Sequence, residues 1–81
     1  MSVRNEALEI IISRSSEIMR LDPSTLNKET SFEELGFKSA NYVMVTTVLE
    51  DAFDVEVPYM DFKRNKTFGE AAEYIEELVE S

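Results

Sequence analysis

The sequence predicts an all-α fold: an antiparallel bundle of three main helices plus one short helix, in a single domain spanning residues 1–81. Apolar residues recur at three- and four-residue steps in three separate stretches, the signature of amphipathic helices. Two Gly and two Pro in 81 residues leave few tight turns. The one alternating stretch, Asp54-Val55-Glu56-Val57, is cut short by Pro58. A hydrophobic content of 43%, with three Tyr and five Phe, supports a core, and no repeat or linker interrupts it.

The first helix is predicted from Val3 to Arg20. Leu8, Ile11, Ile12, Ser15, Ile18 and Met19 fall on one stripe, with Arg4, Glu6, Arg14 and Glu17 mostly on other faces. Asp22-Pro23 ends it, because the residue before proline is pushed out of the α region. Pro23 then opens one short turn through Leu26, with Asp22 as its cap. Residues 27–38 read as a long loop pinned by Phe32 and Leu35, with a helical turn capped by Ser31 through Glu34. Gly36 breaks the chain, and a second helix starts at Ser39, which stands at its N-cap. Tyr42, Val45, Leu49, Ala52 and Phe53 form its stripe, despite β-branched residues that lower its intrinsic propensity.

Residues 54–58 form an extended connector that tucks Val55 and Val57 inward, and Tyr59 to Arg64 make a brief helix or turn. Thr67, with Glu70 three residues on, is a capping box for the last helix. Phe68, Ala71, Ala72, Ile75, Leu78 and Val79 line one side of that helix, and Glu70, Glu73, Glu76, Glu77 and Glu80 the other. The core is expected to include Leu8, Ile11, Leu26, Phe32, Leu35, Leu49, Phe53, Phe68 and Ile75.

Composition narrows the function. Seventeen acidic against eight basic residues give a net charge of −9, which repels nucleic acid and anionic membrane and favours protein partners with basic patches. With no Cys and no His, the chain lacks a thiolate nucleophile and the commonest general base and metal ligand. A calcium loop starting at Asp51 fails, with Phe53 at a ligand position and Glu56 where glycine is needed. No apolar run approaches a membrane span of about 18 residues, and the opening residues lack a signal-peptide core. A soluble, cytoplasmic protein with no metal, no enzymatic chemistry of its own and no membrane span is expected. Lys63, Arg64 and Lys66, the one basic cluster, read as a solvated turn complementing nearby carboxylates.

Ser39 is the residue with two uses. As an N-cap its hydroxyl satisfies an orphan amide, a role that many serines fill. At a helix N-terminus the same oxygen can also carry a phosphate ester, facing free amides and the positive end of the dipole.

The residues around Ser39 resemble those of the acyl carrier proteins. The family's hallmark Leu-Gly-x-Asp-Ser-Leu, followed by a helix and a Phe-…-Pro segment, is matched by Leu35-Gly36-Phe37-Lys38-Ser39-Ala40 through Phe53-Asp54-Val55-Glu56-Val57-Pro58. Thr67-Phe68-Gly69-Glu70-Ala71 and Tyr74-Ile75 match its final helix, so the likeness runs from Asp22 to Val79. It implies a free-standing carrier domain, not an enzyme, with 4′-phosphopantetheine joined to Ser39 from coenzyme A by a phosphopantetheinyl transferase. The protein would then be a phosphoprotein whose arm supplies the sulfur that the chain lacks. The cargo it implies is a thioester of fatty acyl, polyketide, aminoacyl or related type. The partners implied are ligases, ketosynthases or acyltransferases of fatty acid, polyketide or other lipid metabolism, meeting a monomer. A long alkyl cargo would fold back near Val45, Leu49 and Phe62.

The sequence also departs from the family. Lys38 stands in place of the usual Asp, which in family members helps the transferase hold its metal and aids recognition. Ala40 replaces Leu, and Asn41 and Met44 stand where acids are common, leaving Glu50 and Asp51 at the far end of the helix. With Val43 and Thr47, these residues make up the expected partner surface. The departures imply a dedicated carrier in a specialised pathway. Two other readings remain: an unmodified interaction module with the same bundle, and an acidic helical protein that competes for nucleic-acid-binding partners.

Overall fold

The computed structural model describes residues 2–81. Its four α-helices are α1 (Val3–Met19), α2 (Ser39–Phe53), α3 (Tyr59–Lys63) and α4 (Phe68–Glu80). Ser2 caps α1, its hydroxyl accepting from the Asn5 N–H at 3.0 Å. The helix stops at Met19, one residue short of the expected end. Arg20 turns left-handed (φ 57°), and its N–H and that of Leu21 both close on the Ser16 carbonyl. The stop is therefore local, and Asp22-Pro23 only directs the exit. Pro23–Thr25 form a single 3₁₀ turn, capped as expected by Asp22, whose carboxylate accepts from the Ser24 N–H at 2.9 Å.

The α1 and α4 helices pack antiparallel, with Arg4 near the start of α1 bonding Glu76 late in α4 at 2.9 Å. Closer to the middle, Leu8 and Ala72 line one groove between them. The α2 helix lies against α1, and α3 against α2. The fully buried side chains Ile11, Phe32, Val45, Leu49, Phe62, Phe68 and Ile75 fill the space between the helices. Phe32 is the hub: the rings of Phe68, Phe37, Tyr42 and Phe62 surround it at centroid distances of 4.7, 5.1, 5.4 and 5.7 Å.

Three expected core residues, Leu8, Leu35 and Phe53, are only half-buried and pack on the rim of this cluster. Phe53 is the last residue of α2, just before Asp54 turns left-handed (φ 54°), so its ring covers the end of the core instead of filling it. Ala52, placed on the inner stripe by periodicity, is exposed. Val57 tucks inward as expected, and Val55 is half-buried.

The long loop before α2 is not free. Ser31 Oγ accepts from the Glu34 N–H at 3.2 Å, giving the expected capped turn. The loop backbone is also clipped to the start of α4. Phe32 N–H donates to the Lys66 carbonyl (3.2 Å), Phe68 N–H to Thr30 (2.9 Å) and Gly69 N–H to Lys28 (2.8 Å). A Cβ on Gly69 would lie 2.9 Å from the Lys28 oxygen, so this approach requires glycine. The capping box of α4 forms with one change. Thr67 Oγ1 accepts from the Glu70 N–H, but Glu70 reaches the N–H of Lys66, not that of Thr67.

Candidate functional site

Ser39 owes its position to the turn before it. Gly36 adopts a left-handed conformation (φ 82°) that reverses the chain, and the Phe37 N–H then closes on the Phe32 carbonyl at 3.1 Å. The Phe37 ring stands edge-on to Phe32 and to Tyr42, at 5.1 and 5.2 Å, which ties this turn to the core. The next two residues therefore emerge at the surface with a fixed direction.

Lys38, not Ser39, is the N-cap of α2. Its backbone is extended (φ −111°, ψ 172°), and Ser39 is the first helical residue. This corrects the expected capping role of the serine, because the turn at Gly36 lets the helix begin one residue earlier. A lysine side chain has no acceptor to offer the orphan amides. Asn41 compensates from within the helix: its Oδ1 accepts from the Lys38 N–H at 2.8 Å, one half of a reciprocal cap. The Lys38 carbonyl accepts from Asn41 and Tyr42 N–H at 2.9 and 3.1 Å. Among the described residues, no acceptor meets the N–H of Ser39 or Ala40.

The Ser39 side chain is thus exposed and released from capping. Among the described residues its side-chain hydrogen-bond partner is Tyr59 at the start of α3, whose hydroxyl donates to Ser39 Oγ at 3.0 Å. The Tyr59 phenol is held below the usual tyrosine range first by Ser39, whose hydroxyl can donate to the phenolate; burial pushes the other way, and the Lys63 cation adds a smaller pull downward. Burial raises the phenol of neighbouring Tyr42. No acid stands in the first turn of α2. An exposed hydroxyl, two open amides, a phenol and the Lys38 cation suit an anionic ester at Ser39.

Of the expected partner surface, Ala40, Val43, Met44, Thr47 and Asp51 are exposed, and their spacing sets them along one face of α2. Val43 and Met44 expose 47% and 43% of their area, a pair of apolar side chains next to the site. The Thr47 hydroxyl is turned back on the helix, donating to the Val43 carbonyl at 2.8 Å. Glu50 is half-buried and occupied within the fold, its carboxylate accepting from the Val57 N–H at 2.8 Å. Asn41 is likewise half-buried and engaged at the cap. The basic cluster Lys63, Arg64 and Lys66 is exposed at the end of α3 and in the turn that follows, as expected, but makes no direct ion pair among the described residues. The ion pairs among the described residues involve Arg4 and Arg14, while Lys63 lies 5.7 Å above the Tyr59 ring.

Tyr59 was not evident from sequence as a site residue. Twenty positions separate it from Ser39, and no local pattern marks it. The role of Asn41 was legible in principle, because Asn three residues after a non-capping N-cap can supply the returning acceptor.

Comparison with known proteins agrees with this geometry. The sequence profile described as the phosphopantetheine attachment site matches residues 9–75. An acyl carrier protein of Bdellovibrio bacteriovorus is 31% identical over 77 residues, covering 94% of each chain. The crystal structure of a free-standing peptidyl carrier protein from an uncharacterised secondary metabolic pathway of Acinetobacter baumannii superposes with a TM-score of 0.80. It is 25% identical, and the match covers 89% of this chain and 90% of that one. The prosthetic group of such domains is 4′-phosphopantetheine. The profile spans most of the helical bundle and the relatives match nearly end to end, so this chain belongs to the family of phosphopantetheine-bearing carrier proteins.

Proposed function

We propose that the chain is a dedicated acyl carrier protein in which Ser39 carries the 4′-phosphopantetheine arm. The observation that carries the assignment is the Ser39 hydroxyl, exposed at the first position of α2 beside two amides without acceptors. Ser39 Oγ forms the phosphodiester, losing its proton to the transferase as 3′,5′-ADP leaves coenzyme A. The open N–H groups of Ser39 and Ala40 and the helix dipole favour the resulting negative charge. Lys38 contributes a cation where family members place an acid. When bound, the arm supplies a terminal thiol that holds acyl groups as thioesters.

The chain contributes binding and presentation rather than catalysis. Ala40, Val43, Met44, Thr47 and Asp51 form a weakly charged face for partner enzymes alongside Ser39. Cytoplasmic fatty acid, polyketide or related pathways fit this reading. The likeness to a peptidyl carrier protein adds aminoacyl chains to the cargo classes. Val45, Leu49 and Phe62 are fully buried, so an alkyl chain folding back there has to part packed side chains.

The test is intact mass after incubation with coenzyme A and a broad-specificity transferase. One phosphopantetheine is expected, mapped to Ser39, and Ser39→Ala should abolish the gain. Because Lys38 is the cap, Ser39→Ala should cost less than the roughly 1 kcal/mol of a lost N-cap, leaving the helices intact. Modification at another serine refutes the assignment, and no modification by any transferase leaves the interaction-module reading.

A further inference from the structure

The Tyr59 hydroxyl lies 3.0 Å from Ser39 Oγ, and the attachment chemistry above makes no use of it. Its placement is built into the fold. The Tyr59 ring meets buried Tyr42 edge-on at 6.2 Å, and Tyr42 in turn meets Phe37 and Phe32 at 5.2 and 5.4 Å. Lys63, one turn further along α3, sets its ammonium 5.7 Å from the Tyr59 ring centroid. A continuous line of aromatic contacts therefore runs from the centre of the core to the side chain hydrogen-bonded to Ser39.

We propose that Tyr59 is the positioning residue for the phosphodiester on Ser39: its hydroxyl donates to a phosphate oxygen and holds the root of the arm against α3. The inference rests on attachment at Ser39. Between two free hydroxyls, either can donate. Esterification removes the hydrogen from Ser39 Oγ, so the pair can then interact only with Tyr59 as donor. A phosphate oxygen is anionic, and a donor to it makes a stronger, charge-assisted bond than a donor to an ester oxygen. The new anion is attached to the very atom that Tyr59 already contacts. The charged and titratable groups around the phenol are Lys63 on its own helix, Tyr42 from α2 and Lys38 beside Ser39. Both cations favour an anion there, and neither can replace the phenol as a fixed donor, because lysine side chains are long and freely rotating. Tyr59→Phe keeps the ring contacts and removes only the donor.

The test compares unmodified and phosphopantetheine-bearing protein, wild type and Tyr59→Phe, with loading at Ser39 verified by intact mass and peptide mapping. The tyrosines are followed by ¹³Cζ NMR through a pH titration, and the phosphodiester by ³¹P NMR. In the unmodified protein Tyr59 ionises below the usual tyrosine range, because Ser39 and Lys63 stabilise the phenolate. Loading should move its titration upward, since ionisation then breaks the donated bond and sets two anions side by side. Tyr74, on α4, should not move. The ³¹P resonance should follow the Tyr59 titration in the wild type and stay flat across that range in Tyr59→Phe. An unchanged or lowered Tyr59 titration after loading, or identical ³¹P behaviour in the two proteins, overturns the inference and leaves attachment standing. Failure to load at Ser39 overturns both, and the mass spectrum tells the two failures apart.

Discussion

Replacing Lys38 by Asp tests how the N-terminus of α2 is built. Lys38 has the extended backbone of an N-cap and no acceptor to use there, the first turn has no acid, and among the described residues the Ala40 N–H meets no acceptor. An aspartate at that position can accept from an amide at the second or third helical residue, and a good cap is worth about 1 kcal/mol over a non-capping residue. Exchanging a cation for an anion at the positive end of the helix dipole adds about 0.3–1 kcal/mol at an exposed site. Asn41 already returns an acceptor to the cap amide, so Lys38→Asp completes a reciprocal box instead of starting one. The unmodified protein should gain about 1–2 kcal/mol at low salt, roughly a 5–15 °C rise in Tm for a domain this small.

The two contributions separate with salt. The screening length falls from about 10 Å at 0.1 M to about 3 Å at 1 M, which removes most of the dipole share and spares the cap bond. Thermal melts of wild type and Lys38→Asp at both salt concentrations, unmodified and phosphopantetheine-bearing, provide the assay. In the modified protein the gain should shrink or reverse, since the carboxylate then neighbours the phosphodiester. Modification by a general-purpose transferase should accelerate, because the acid beside the serine is restored. Equal melting temperatures at low salt would refute the cap geometry, and a gain that vanishes completely at 1 M would refute the cap bond. An unchanged rate with the same shift in both forms would reduce Lys38 to a plain surface residue.

Other outcomes follow from packing. Phe32→Ala removes the ring at the centre of four aromatic contacts and should cost about 3–5 kcal/mol, against the roughly 4–12 kcal/mol available to a domain of this length. Phe53→Ala, at the half-buried end of α2, should cost about 1–3 kcal/mol; urea unfolding that ranks Phe53 above Phe32 would reverse the assigned hub and rim. Gly69→Ala would gain about 1 kcal/mol by helix propensity alone, yet its Cβ meets backbone at 2.9 Å. A net loss of about 1–3 kcal/mol is expected, and any stabilisation in the same urea assay would show that the loop yields freely.

The helices were legible because their stripes are long and their caps chemical: Ser2 aside, Asp22, Ser31 and Thr67 all cap where the sequence suggests. What was not legible depends on contacts between distant segments. Ser39 and Tyr59 meet only because α3 packs on α2. Glu50 looked like a free surface acid until the connector folded back and brought the Val57 amide to it. Ala52 and Phe53 show the limit of periodicity at a helix end, where the core runs out before the pattern does. The one-residue error at Ser39 has a specific cause. A serine after a lysine looks like the cap, but the left-handed Gly36 sets the chain direction, and it is Lys38 whose extended backbone opens the helix.

The backbone clip between the long loop and the start of α4 has a further consequence, for how freely this half of the protein can change. It closes a ring of main chain that contains Ser39, α2 and α3. The entropy lost on closing such a ring grows only with the logarithm of its length, about 0.6 kcal/mol per doubling. A few residues added in the connector at 54–58 or in the turn at 64–66 would therefore weaken the closure very little. The clip itself is made of amides and carbonyls, so the side chains of Lys28, Thr30 and Lys66 are not specified by it, whereas Phe32 and Phe68 are fixed by the core and Gly69 by the close approach of Lys28. The segment bearing Ser39 can thus be lengthened or recoloured on its surface while its two ends stay fastened at the same place.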